Sequence, residues 1–286
     1  MSSNQETNTM HAGEGRDLFF RALLFSLLFA YVGFILAVLC ADVLWLGRHD
    51  PGTGKSYLYK LATDVEVWEE TKAAFWLSVV SAFVTSILAL IVAVPAAYAL
   101  SRFRLPFAKV IDTLIDLPIV IPPLIAGISL LVFFNQTALG VKLNDLLDVV
   151  YTRRGIVVAQ FFVASAFCIR ALKATFDQIN PRFEMVARSL GCGPFRAFWS
   201  VSMPLAKTGL MAGWIMTWAR AMGEFAPIMV FAGATPFHTA VLPVTAFLNL
   251  SSGHIEAAVG VTVLMIVLAG LTLSIFKKLG GQGYLW

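Results

Sequence analysis

Arg220 and Glu224 stand four residues apart in the stretch Trp218–Ala226, W-A-R-A-M-G-E-F-A, within an otherwise apolar block. That spacing puts both side chains on one helix face. A charge at membrane depth costs about 2.5–3.5 kcal/mol on insertion scales, so each needs a partner or a wet cavity. Two readings follow: the pair neutralises itself across one turn, or Arg220 offers a positive field to a passing anion. A second chemistry-like stretch, P-G-T-G-K-S at Pro51–Ser56, ends like a phosphate-binding loop. The full pattern requires a glycine where His49 stands, and an apolar span rather than a buried strand precedes it. It reads as a Gly-rich turn. The three cysteines (Cys40, Cys168, Cys192) and four histidines (His11, His49, His238, His254) are scattered, which supports neither a disulfide framework nor a metal site. With no nucleotide site and no catalytic constellation, the chain is expected not to be an enzyme and to bind no cofactor itself.

The elements that must carry these residues are membrane helices. Of 286 residues, 58% are hydrophobic and only 13% charged, and the apolar residues fall in blocks long enough to cross a bilayer. The expected fold class is all-α: a polytopic membrane protein of six transmembrane helices. Residues 1–17 read as a disordered cytoplasmic tail. The first span, about Leu18 to Leu46, is too long for a signal peptide, and Leu39 before Cys40 excludes a lipoprotein cleavage site. With its extracytoplasmic loop it fills 18–72. Further spans run about Ala73–Leu100, Val110–Phe134, Gly155–Phe176, Thr208–Gly233 and Glu256–Phe276, within a core of 73–278. Residues 234–253 suit an interfacial or re-entrant segment, and 279–286 a cytoplasmic tail. The third span contains D-L-P-I-V-I-P-P-L-I-A-G, Asp116–Gly127. Pro118, Pro122 and Pro123 cannot sit in a straight helix, because each removes a backbone bond and crowds the preceding turn. Irregular backbone at this depth is tolerated only where protein or water satisfies it, so the run marks a pathway-lining or hinge helix. Asp112 and Asp116 read as interfacial caps, and Arg170 and Lys173 as snorkelling residues.

One long polar interruption, Asn180–Pro204, divides the second half of the chain. Asn180 can cap a short helix with Pro181 at its first position, and Gly191 can close it in the left-handed region. Gly193-Pro194 opens a second helix, which Pro204 is expected to stop. Phe195, Phe198 and Trp199 fall on one face of that helix, beside Arg188 and Arg196. An amphipathic helix lying on the membrane surface is the plainer alternative. Six spans put both termini on one side, with twelve Lys and Arg against seven on the other. The positive-inside rule places the termini and the helix-turn-helix in the cytoplasm of a multi-pass cell-membrane protein. The dispersed basic residues indicate no nucleic-acid partner; lipid is the expected surrounding.

The polar stretch resembles the EAA loop of ABC importer permeases: E-A-A, three residues, Gly, nine residues, Ile, one residue, Leu-Pro. With Gly191 on the pattern glycine, Val201, Met203 and Pro204 fall on Ile, Leu and Pro, and Ala187 on the second Ala. Val186 takes the first Ala position and Met185 that of the Glu, with Glu184 one residue upstream. The stretch Ala219–Ala226 is similar to the A-R-A-L-G-E-F-G signature of molybdate/sulfate-type permeases, and the proline run resembles the third span of molybdate, tungstate and sulfate permeases. The resemblance implies a type I ABC importer permease that moves an oxyanion, molybdate or tungstate first and sulfate or thiosulfate second. It implies a coupling loop at 180–204 (Glu184, Ala187, Arg188, Gly191, Pro194, Phe195, Phe198, Trp199, Pro204) docking on an ABC ATPase present in two copies, which uses the ATP. It further implies a pathway at Pro118, Pro122, Pro123, Arg220, Gly223 and Glu224, a permease homodimer, and an extracytoplasmic solute-binding protein. A channel, a secondary transporter and a membrane-embedded enzyme are the rival classes. The first two give the cytoplasmic loop no reason to present aromatic residues. The last needs clustered His, Asp, Glu or Cys at membrane depth.

Overall fold

The computed structural model describes residues 3–49, 56–57, 59, 63–104 and 106–279. Pro51–Lys55 of the Gly-rich turn and the tail from 280 to 286 lie outside the described residues. Two units divide at Lys60 and Leu61. The first holds α1 (Ser3–Leu46), whose apolar part Phe20–Leu46 is 27 residues, about 40 Å at 1.5 Å per residue. Its backbone is helical from Ser3, where a disordered tail over 1–17 was expected. Once a long apolar helix exists, each added residue needs only propagation and no new nucleus. Trp45 stacks on Tyr57 at 4.5 Å, and His49 bridges to Ser56.

Among its described residues the second unit has helices and no strands. It comprises α2 (Val65–Arg102), α3 (Ala108–Val120), α4 (Pro123–Gln136), α5 (Ala138–Leu147), α6 (Arg153–Gln178), α7 (Arg182–Ser189) and α8 (Pro194–Ala197). A π-helical turn (Phe198–Ser202) then leads into α9 (Met203–Met222), followed by α10 (Ala226–Phe231), α11 (Leu242–Ser251) and α12 (Ile255–Leu279). By length and composition, four described helices can cross a bilayer: α1, α2, α6 and α12. The pair α3 and α4 makes a fifth if taken as one span, bent by 111° between Val120 and Pro123. The expected third span, Val110–Phe134, is thus broken at its proline run, as three prolines that cannot share a straight helix require. The expected fifth span, Thr208–Gly233, stops at Met222 and resumes as α10. The ten-residue α11 fills the stretch expected to be interfacial or re-entrant.

Asp64 caps α2 by accepting from the Glu66 and Val67 N–H groups at 3.1 and 3.3 Å. One face of α2 buries Ala74, Ser78, Ala82, Thr85, Ala89, Ala93 and Ala97, a run of small residues three or four apart. Such a face lets backbones approach closely where the hydrophobic effect cannot drive association. Against it lie α6 and α9, which interlock through Gly209 on Thr175 and Gly213 on Leu172. A polar seam threads these helices. Thr85 Oγ1 donates to Gln160 Oε1 at 2.9 Å, Gln160 Nε2 to the Ala221 carbonyl at 3.0 Å, and Trp214 Nε1 to Ser86 Oγ at 2.9 Å.

A Cβ at position 209 would run into the buried Thr175 side chain, whereas one at Gly270 meets nothing within 4 Å. Gly209→Ala should therefore destabilise the detergent-solubilised protein by about 1–3 kcal/mol, the usual penalty of overpacking. Gly270→Ala should leave thermal unfolding unchanged or raise its midpoint; equal midpoints for the two variants would refute this interlocking.

Candidate coupling and translocation site

The polar interruption folds as a helix-turn-helix whose first turn follows local rules. Asn180 Oδ1 accepts from the Arg182 N–H at 3.0 Å, satisfying a donor that the start of α7 leaves free. At the other end Gly191 takes φ +91°. The Gly191 N–H donates to the Arg188 carbonyl at 3.0 Å and the Cys192 N–H to that of Ala187 at 3.1 Å. This is the Schellman arrangement, which places a left-handed residue just past the helix. Gly193 then precedes α8, with Pro194 at its first position.

Pro204 does not stop the second helix. The chain passes without a break from α8 through the π-helical turn into α9, where Pro204 occupies the first turn. Proline lacks an N–H and its ring crowds the carbonyl four residues back. The wider turn accommodates both, and the Met203 N–H reaches the Phe198 carbonyl instead. The three aromatic residues expected on one face differ in exposure. Phe195 and Trp199 are 76% and 51% exposed, with ring centroids 6.3 Å apart. Phe198 turns inward onto Tyr98 at 4.6 Å and also meets Phe176. Leu190, Phe183 and Val186 extend the exposed apolar face.

Glu184 anchors this unit to the spans. Its carboxylate pairs with Arg102 Nε at 2.9 Å and accepts from Ser202 Oγ at 2.6 Å and Tyr98 Oη at 2.7 Å. Arg102 also donates to the Ile179 carbonyl at 2.8 Å, so the ends of α2 and α6, helix α7 and the π-helical turn meet at one ion pair. The Glu184 and Arg102 side chains are only 12% and 8% exposed. Burial pushes the Glu184 carboxyl upward. Hydrogen bonds from Ser202, Tyr98 and Arg102, together with the Arg102 charge, outweigh it and hold the group below the ordinary range. Met185, which occupies the pattern's Glu position, is instead exposed. Ala187 is half-buried, and Arg188 is exposed and lines a cavity of about 190 Å³ with Tyr98, Arg102 and Glu184.

The second half of the site is a pair of helix breaks. Pro118 lies inside α3, Pro122 sits at the break, and Pro123 opens α4. Beyond the break, Gly127 approaches Pro227 of α10 so closely that an added Cβ would lie 2.9 Å from its Cα. The two interrupted segments therefore pack directly on each other. At the other break, Arg220 in the last turn of α9 pairs with Glu224 just past its end. Glu224 is buried, whereas Arg220 is 31% exposed and lies 5.6 Å over the Phe167 ring. Gly223 between them is exposed. The Ala221 carbonyl, at the end of the helix, accepts from the Glu224 N–H at 3.2 Å and from Gln160 Nε2 at 3.0 Å.

Sequence reasoning missed one cluster. Arg170 of α6 forks onto Asp116 and also donates to the Asp112 side chain at 2.7 Å and its carbonyl at 2.8 Å, tying α3 to α6. Asp112 and Asp116 are thus not interfacial caps, nor does Arg170 simply snorkel. Their i, i+4 spacing on one helix was the available signal; the partner lies more than fifty residues away.

Residues 86–281 match the model of one family, described as binding-protein-dependent transport system inner membrane component. The chain belongs to that family. This inner membrane component is 38% identical over 179 residues to the molybdate/tungstate transport system permease protein WtpB of Thermococcus kodakarensis, covering 60% of the chain and 68% of the relative. It is 36% identical over 222 residues to the probable molybdenum ABC transporter permease protein HVO_B0370 of Haloferax volcanii, covering 77% and 79%. The crystal structure of a bacterial ABC transporter that imports the acidic polysaccharide alginate superposes with a TM-score of 0.73 at 14% identity. That match covers 95% of the chain and 98% of its counterpart, and it bears on the fold.

In this inner membrane component, Glu184→Ala leaves the buried Arg102 guanidinium without its counter-charge, a change that costs about 3–5 kcal/mol where such pairs are fully desolvated. The expected result is faster proteolysis within 180–204, with Glu184→Gln intermediate. Because its carboxyl is held low, Glu184 contributes fully above the ordinary carboxylate range. That contribution is lost only as pH falls through the depressed folded value. A spin label at Cys192 should therefore keep its mobility from pH 8 to 5 and loosen only in stronger acid; loosening near neutrality would contradict the clamp.

Proposed function

We propose that the chain is the membrane-spanning permease subunit of an ATP-driven importer of a tetrahedral oxyanion, with molybdate or tungstate as cargo and sulfate or thiosulfate as the second candidate. The observation that carries the reading is the helix-turn-helix at 180–204: an exposed apolar face around Phe195 and Trp199, bolted by Glu184 and Arg102 to two spans. A free surface of this kind, rigidly joined to the transmembrane helices, suits transmission of force from a separate ATPase. The family and the relatives' molybdate and tungstate cargo support it.

In this reading two permease copies enclose the path and two ATPase subunits engage the two loops. A binding protein delivers the anion from outside, and both termini are cytoplasmic. ATP is hydrolysed only by the partner. The breaks at Val120–Pro123 and Met222–Phe225 are where α3, α4, α9 and α10 change their relative angles during alternating access. Arg220 supplies a positive field that speeds a dianion past without holding it, because Glu224 already neutralises most of its charge.

Uptake of labelled molybdate by cells carrying the permease, ATPase and binding protein tests the assignment. Uptake should depend on the ATPase, and excess tungstate should compete more strongly than excess sulfate; the reverse order would reassign the cargo. Replacing both Phe195 and Trp199 by Ala should reduce co-purification of the ATPase at least about tenfold, as expected when two aromatic anchors leave an interface. Undiminished co-purification would remove the loop from that role.

The charged pair is separated from the path by comparing variants. Arg220→Ala strands a carboxylate at depth and should insert poorly. Arg220→Ala with Glu224→Ala restores neutrality and should insert well, yet transport slowly. Full uptake per inserted protein by the double variant would exclude both residues from the path.

A further inference from the structure

A groove of about 510 Å³ lies at the end of α6 remote from the helix-turn-helix, outside the coupling and translocation sites. Most of its wall is apolar and comes from α2, with Trp76, Val80 and Val84; Val157 of α6 and Phe237 complete it. Its polar end is formed by Arg153 and Arg154, at the start of α6. Both arginines are exposed, and among the described residues neither is paired with a carboxylate. Arg153 donates to the His238 and Phe237 carbonyls, each at 3.1 Å, and Arg154 to the Leu147 carbonyl at 2.7 Å. These bonds orient the guanidinium groups without neutralising them, and most of the five donors on each stay free. This differs from Arg102, Arg170 and Arg220, each of which has a carboxylate against it.

Depth decides what an unneutralised pair at this place can meet. Arg153 and Arg154 share the groove with Val80 and Ser81, and one turn deeper Thr85 Oγ1 reaches Gln160 Oε1 of α6. The apolar part of α2 ends at Leu100, before the Arg102 turn. From Leu100 back to Val80 is about 30 Å at 1.5 Å per residue, the thickness of a hydrocarbon layer. The two guanidinium groups therefore stand at the level of the outer headgroups, with apolar wall below them and Trp76, 59% exposed, beside them at the interfacial depth that Trp favours. A concavity that is cationic at headgroup level and apolar beneath is complementary to one kind of molecule.

The geometry points to a specific binding site for an anionic phospholipid of the outer leaflet, with its phosphate on Arg153 and Arg154 and an acyl chain along Trp76, Val80 and Val84. The lipid completes the charge balance of the outer rim and braces α2 against α6 and the Phe237–His238 turn. The inference rests on the proposed orientation, with both termini cytoplasmic, and not on the transported anion.

Native mass spectrometry of the detergent-purified transporter, delipidated and then supplied with phosphatidylglycerol or phosphatidylcholine, provides the test. Phosphatidylglycerol should be retained at least about tenfold better, as expected for two headgroup-level arginines at about 1 kcal/mol each. The preference should vanish in the Arg153→Gln, Arg154→Gln double variant and survive in the double Lys variant. Because Arg153 also holds a turn, Val80→Asp provides a second test: it places a carboxylate in the wall and should expel phosphatidylglycerol while leaving the arginines intact. Equal retention of the two lipids overturns the proposal, as does a preference that survives both changes. Displacement of phosphatidylglycerol by millimolar inorganic phosphate or sulfate would make this a site for a free anion. Unchanged lipid retention with loss of binding-protein-stimulated ATP hydrolysis in the double variant would assign the arginines to that protein. Either result refutes the lipid site.

Discussion

Inside a bilayer no water is available to the backbone, so every peptide group must find its partner within the protein. That constraint makes each interruption of a helix expensive, and the described residues include breaks after Val120 and after Met222. At the end of α9 the Ala221 carbonyl accepts from the Glu224 N–H and from the Gln160 amide, whose oxygen accepts from Thr85. At the proline break, Pro122 and Pro123 themselves stay exposed, and one turn further along α4 Gly127 packs directly against Pro227 of α10.

Charges follow the same economy. Arg220 with Glu224, Arg170 with Asp112 and Asp116, and Arg102 with Glu184 each unite a guanidinium with a carboxylate at or near membrane depth. The three ion pairs join different elements. Arg220 and Glu224 stay within the break after α9, Arg170 holds the otherwise exposed α3 onto α6, and Arg102 bolts the helix-turn-helix to α2. The helix-turn-helix is thus joined to α2 through Arg102 and to α9 through the continuous π-helical turn.

Much of this was set by local sequence. The left-handed turn at Gly191 follows from a glycine placed one residue past a short amphipathic helix, and the Arg220–Glu224 pair from i, i+4 spacing. The apolar blocks and the failure of a straight helix at Pro118, Pro122 and Pro123 follow from composition and the missing N–H groups. All are decided within one or two turns of chain, where hydrogen bonding and periodicity act directly. Tertiary structure alone decided which distant groups met. Glu184 reaches Arg102 across 82 positions and Arg170 reaches Asp112 across 58, with nothing in either neighbourhood to name the partner. It also turned Phe198 inward and carried the chain through Pro204 instead of stopping it. These outcomes depend on close packing among α2, α6 and α9, and packing is a property of surfaces brought together by the whole chain rather than of any single stretch.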